Sequence, residues 1–273
     1  MQREIKMKFL KTKKSIVLFI ISMSLLLIAL GLAMPFFISG SDSHKLYVIS
    51  ILCVYMAVIL GILSIFPGDE EVKKRNRVKE MAMVGIMGAI SSILYIFIKF
   101  NLPFFPSFLD IQISEIPALI VGFAYGPVAG IATLAIRFVV KLPLTSTASV
   151  GEFADLLIGI ALVVPTSIIY KKHRTFKGAI VGFSIGVLLA TITAMLLNWL
   201  VLIPFYVELY FNGDWTPLIG MCSMIPNINQ DNFFALYLFA GVLPFNLFRY
   251  LIVGIITFLI YKRTKKLLDK VTN

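Results

Sequence analysis

Arg137 and Lys141 stand four residues apart in one apolar stretch, and Glu152 and Asp155 stand three apart in the next. At helical spacing each pair shares a face. Ionisable groups at membrane depth are costly enough that they pair with one another or line a cavity. These four charges either neutralise one another as a structural clamp near one end of a bundle or touch a ligand. Asn198, in Leu197-Asn198-Trp199, and the run Pro244-Phe245-Asn246-Leu247-Phe248-Arg249 add further polar chemistry, with Asn246 and Arg249 on one helical face. An asparagine amide carries donor and acceptor together, and arginine a fork of donors. Such a set suits a neutral heterocycle with imide-like edges, or equally a hydrogen bond between helices.

Covalent and nucleotide chemistry is harder to assemble from this chain. It has no GxxxxGK[ST] loop to cradle a triphosphate. Its two histidines, His44 and His173, fall in loops without HExxH or HxxxH spacing, so no helix-borne zinc site is expected. Glu70-Glu71-Val72-Lys73-Lys74-Arg75 fits the EExxxR pattern of intramembrane proteases but lacks the partner histidines inside the membrane that the pattern requires. Cys53 and Cys222 form no CxxC pair and imply no disulfide framework. We expect no catalytic residue, no metal and no resident cofactor.

The elements that must hold these residues are membrane helices. Hydrophobic residues make up 59% of the 273-residue chain and charged ones only 14%, against about 25% charged in soluble domains. Twenty of the 25 basic residues cluster before residue 15, at 73–79, at 171–177 and at 262–270, each cluster flanking an apolar run. That distribution is a positive-inside pattern. It turns the net charge of +11 into a statement about orientation, with both termini in the cytoplasm, and leaves little room for a nucleic-acid partner. Helices are expected at about 15–37, 46–66, 79–98, 113–125, 127–142, 151–170, 177–204 and 233–261. The fold class is therefore all-α: a polytopic transmembrane bundle with an accessory N-terminal hairpin over residues 1–66, a charged cytoplasmic linker at 67–77 and a six-helix core over 78–273. Tyr125-Gly126-Pro127 should form a tight turn. Two segments expected on the outer side, Asn101–Leu109 and 205–232, are too aromatic to rest comfortably in water. They either fold over an opening or lie on headgroups. Gly178, Gly182, Gly186, Ala190 and Ala194 form a small-residue stripe that permits close helix approach, within the chain or with a partner.

Taken in order, Leu102-Pro103-Phe104-Phe105-Pro106, Asp110 through Ile116-Pro117-Ala118-Leu119, Gly122-Phe123 with Gly126-Pro127-Val128-Ala129-Gly130, Gly151-Glu152-Phe153-Ala154-Asp155 and Pro244-Phe245-Asn246-Leu247 resemble the S components of energy-coupling-factor (ECF) vitamin transporters. The resemblance covers about residues 78–265. Asn198, Pro204, Tyr206 and the Phe245-Asn246 pair are similar to the riboflavin-binding branch.

That resemblance implies a non-enzymatic subunit in the cell membrane that captures riboflavin from outside, with the 99–112 loop as a gate. It implies that Asn198, Asn246 and Arg249 bind the flavin, that Phe104, Phe105 and Trp199 meet its planar face, and that the ribityl hydroxyls reach Asp110 or Glu152, with Asp155 nearby. It implies docking of Gly85 and Ala89, in the place of an AxxxA surface, on a membrane-embedded T component, with two ATPase subunits as the power source. Two positions depart from the pattern: Arg249 stands where lysine is usual, and Asp155 where asparagine is expected. The readings kept beside this one are the same fold carrying FMN or another vitamin, and a membrane enzyme or assembly subunit.

Overall fold

The apolar run after the charged linker folds as α1 (Lys74–Phe97) in the computed structural model, which describes residues 74–272. The expected hairpin at 1–66 and the linker up to residue 73 lie outside the described residues. A two-residue antiparallel ribbon follows, β1 (Lys99–Phe100) against β2 (Ile111–Gln112), with Lys99 opposite Gln112 and Phe100 opposite Ile111. The ribbon is the one departure from an all-helical chain among the described residues, and it pinches the 101–110 loop at its neck.

Helix α2 (Glu115–Tyr125) is buried at every position from Glu115 to Ala124. A helix that is apolar on all sides belongs in the middle of a bundle, and α2 packs against α1 and three helices that follow. Its 11 residues make it about 16 Å long. Gly126 ends it at φ +99°, a conformation that glycine adopts without strain. Pro127 then opens α3 (Pro127–Lys141) at a position where its missing N–H costs nothing. The expected tight turn is thus present.

Helix α4 (Val150–Lys172) and α5 (Phe176–Leu197) form an antiparallel pair joined by a short loop. The Thr175 hydroxyl caps α5 by accepting from the Gly178 N–H at 3.1 Å. The small-residue stripe is wholly buried, and at Gly182 and Gly186 it faces α4. A Cβ at Gly182 would lie 2.8 Å from the Thr166 carbonyl, and one at Gly186 would lie 2.5 Å from the Leu162 carbonyl. The two backbones therefore touch at these glycines, and this part of the stripe is consumed by packing within the chain.

From α5 the chain passes through a π-helical turn (Asn198–Leu202) into α6 (Ile203–Phe211), then α7 (Thr216–Met221) and α8 (Phe233–Leu236). A second π turn (Tyr237–Val242) leads into α9 (Leu243–Thr272). Much of the segment expected as a loop at 205–232 is therefore helical, and it folds back on the bundle. Trp215 packs edge-on against Phe233 and Phe234 with centroids 5.5 and 5.7 Å away, and Leu218, Cys222 and Ile225 are buried. Burial pushes the Cys222 thiol up to about 12, so it is inert as a nucleophile at neutral pH.

Five stretches among the described residues are long and apolar enough to cross a membrane: Val78–Phe97, Pro127–Leu144, Val150–Lys172, Phe176–Phe211 and Phe233–Tyr261. With the shorter α2 they make a six-helix core. At the end of α4 that carries Lys171 and Lys172, Tyr170 and Tyr261 share a hydrogen bond of 2.7 Å between their hydroxyls, beside Phe123.

Candidate functional site

The other end of α4 opens onto a cavity of about 210 Å³. Its floor is the exposed side of a cluster of buried charge, which meets the cavity through Arg249 and Asp155. Glu115, in the first turn of α2, accepts from Arg249 Nη2 on α9, and Arg137 Nη1 on α3 lies 3.5 Å from the same carboxylate oxygen. All three side chains are at most 5% exposed. Arg137 also donates to Ser114 Oγ at 2.7 Å and to the Asp155 carbonyl at 3.2 Å, and lies over the Tyr95 ring at 5.0 Å. Asp155 holds the Tyr95 hydroxyl and, at 3.0 Å, Gln112 Nε2 on one oxygen, while its other oxygen lies 3.9 Å from Arg249 Nη1. Two cations and two carboxylates thus balance, as charges taken out of water must.

The pairing differs from the one expected. Arg137 turns to Glu115, Lys141 donates to the Leu144 carbonyl at 3.2 Å, and Glu152 accepts from Thr145 Oγ1 at 2.8 Å and Thr147 Oγ1 at 2.7 Å. The two departures from the riboflavin-branch pattern, Arg249 and Asp155, face each other across the cluster.

Above this floor the wall carries two buried amides. Asn198 donates to the Ala194 carbonyl at 2.9 Å and accepts from the Tyr237 hydroxyl at 2.8 Å. Asn246 donates to the Val242 carbonyl at 2.8 Å, leaving Oδ1 and one N–H uncommitted. Glu152, Asp155, Arg249, Asn198 and Asn246 all line the cavity, and Asp110 does so at the rim, where it pairs with Lys99 at 3.4 Å.

Three expected contacts stand elsewhere. Trp199 is 48% exposed and lines a separate apolar cleft with Phe234 and Phe239. Phe104 is exposed, and Phe105 packs edge-on to Phe245 at 5.4 Å without lining the cavity. The aromatic lining comes instead from Phe108, Tyr95, Tyr206 and Phe245. Sequence reasoning also passed over Glu115 and Tyr237. An acid inside an apolar helix candidate was the available signal for Glu115.

A multi-pass helical bundle with a charge-balanced, amide-walled cavity is the architecture of a membrane protein with room for a small polar molecule. Comparison with known proteins makes this specific: residues 79–261 match the family "ECF transporter, substrate-specific component", and the chain belongs to it. The protein is accordingly a transport subunit and not an enzyme. The chain is 30% identical over 193 residues to the riboflavin transporter RibU of Staphylococcus aureus (strain TCH60), a match covering 71% of this chain and 94% of that one. It is 27% identical over 197 residues to the riboflavin transporter FmnP of Bacillus subtilis (strain 168), covering 71% of this chain and 96% of that one. A solved structure, described as the S component of a bacterial ECF transporter, superposes with a TM-score of 0.55 at 29% identity, over 70% of this chain and 98% of its own.

Proposed function

We propose that this chain captures riboflavin in the cavity between Asn198 and Asn246 and passes it on through a T component and two ATPase subunits. The observation that carries the reading is Asn246, a buried cavity-wall amide with one acceptor and one donor still to give. The pyrimidine edge of an isoalloxazine alternates carbonyl, N–H and carbonyl, so one asparagine amide meets it with two complementary bonds. The relatives named as riboflavin transporters support the same ligand. In this reading Phe245 and Tyr206 face the ring system, with Phe105 behind Phe245, while Glu152 and Asp110 accept from the ribityl hydroxyls. The ribbon end faces outside with the 99–112 loop as its gate, and the cationic ends face the cytoplasm, as the basic clusters support.

Riboflavin fluorescence should be quenched on titration into the purified chain, and Asn246→Ala should weaken binding about 10- to 100-fold. An absence of quenching with the unaltered protein would reject the ligand.

Docking on the T component is assigned to α1. Gly85 and Ala89 are both exposed there, and a Cβ at Gly85 meets nothing within 4 Å. Gly85→Leu should therefore leave riboflavin affinity within about twofold, since surface changes away from a site are usually within ±0.5 kcal/mol, yet abolish uptake in vesicles containing the partner subunits. Lost binding, or full uptake, would remove this face from the docking surface.

A further inference from the structure

Tyr237 lines no part of the cavity, yet its hydroxyl is spent on a residue that does. Its side chain is fully buried, its ring is stacked on Phe233 (centroids 5.2 Å apart, planes at 21°), and Phe108 of the 101–110 loop lies 5.9 Å away on the cavity side. Tyr237 and Asn198 each open one of the two π turns, irregularities that frequently accompany functional positions in helices. The amide of Asn198 is gripped at both ends, by Tyr237 at Oδ1 (2.8 Å) and by the Ala194 carbonyl at Nδ2 (2.9 Å). Those two bonds fix rotation about the bond that carries the amide. They settle which end is nitrogen and leave one N–H for a cargo molecule.

We infer that Tyr237 is a positioning residue for cargo recognition, locking the Asn198 amide so that a donor meets a carbonyl oxygen of the ligand. The inference rests on the riboflavin reading, because the binding it tunes is that of a flavin carbonyl. Phe108 ties the same ring to the loop between the strands, so the amide and the loop share one support.

A double-mutant cycle tests the inference by riboflavin quenching on the full chain in detergent, with thermal midpoints taken on the same samples. Tyr237→Phe keeps the ring stack and removes only the hydroxyl, and should lower affinity about tenfold, the scale of one lost hydrogen bond. In the Asn198→Ala background the same change should alter affinity less than about twofold, because its route to the ligand is gone. Equal losses in both backgrounds, or no loss in the first, overturn the positioning role. Asn198→Asp gives a reading that does not depend on the Phe variant folding: a carboxylate still accepts from Tyr237 but donates neither to the Ala194 carbonyl nor to a ligand, so it should lose at least as much affinity as Asn198→Ala. Retained affinity overturns the donor assignment. An unaltered chain that binds no riboflavin overturns the ligand reading and this inference together, whereas additive losses overturn the Tyr237 role alone.

Discussion

Glu115→Ala should destabilise the protein by about 3–5 kcal/mol, the cost of removing one partner from a buried ion cluster. The carboxylate is fully buried and serves both Arg249 and Arg137. Its loss leaves two guanidinium groups facing each other inside the bundle, with Asp155, 3.9 Å from Arg249, as the nearest remaining acid. The thermal midpoint in detergent and the monodisperse fraction on size exclusion would both fall sharply. Replacing Glu115, Asp155, Arg137 and Arg249 together by apolar residues of similar volume should recover much of the loss, since well-packed hydrophobic replacements of whole buried ion clusters are often neutral or stabilising. The recovered chain should still fail to bind riboflavin, because Arg249 lines the cavity. A single Glu115→Ala variant with an unchanged midpoint would mean that water reaches the cluster and that its balance of charge is unnecessary.

The second large effect concerns sign as much as size. Glycine to alanine in a helix interior normally stabilises by about 1 kcal/mol. At Gly186 the added Cβ would stand 2.5 Å from the Leu162 carbonyl and from Thr166 Oγ1. Gly186→Ala should therefore destabilise, and Gly186→Leu should push α4 and α5 apart at a cost of about 3 kcal/mol or more. Gly85→Ala, with open space around it, should be neutral or slightly stabilising. The two alanine variants, compared by thermal midpoint, separate a glycine kept for packing from one that nothing within the core requires. An unchanged or raised midpoint for Gly186→Ala would show that the two helices can part without loss.

The helices were legible in the sequence because length and hydropathy alone set them: α3 and α4 begin and end within two residues of expectation, α1 starts early at Lys74, and α5, expected to run to 204, gives way to a π turn after Leu197. Asn198, Asn246 and Arg249 were legible as residues of a cavity wall because polar groups inside apolar helices must face something polar. Trp199 was not, for a geometric reason: neighbouring residues on a helix point about 100° apart, so a residue next to a cavity-facing asparagine turns away from the cavity. The partners of Glu115 were equally hidden, since Arg249 lies 134 positions along the chain. Charge spacing within one helix cannot see a partner on another, which is why Arg137 was matched to the nearest acids in sequence and not to the nearest in space. Composition read 205–232 as a loop because its prolines, glycines and asparagines interrupt the apolar pattern. Those residues instead punctuate short helices packed through Trp215, Leu218 and Ile225.

Helix α2 has one more consequence. At about 16 Å its length is roughly half of a 30 Å hydrocarbon layer, and its first turn carries Glu115, which pairs with the cavity-lining Arg249. The cavity at that end is a well lined by Phe108 and Leu109 of the 101–110 loop and by residues of the longer helices. A cargo resting on the floor of the well would be enclosed by buried side chains, where polar atoms are expensive to strand. Fidelity then comes largely from rejection: a molecule with one heteroatom that the two asparagines and the charged floor cannot answer is refused at a cost of about 1–3 kcal/mol for each unmatched group. Adding one helical turn ahead of Glu115 would silt the well up.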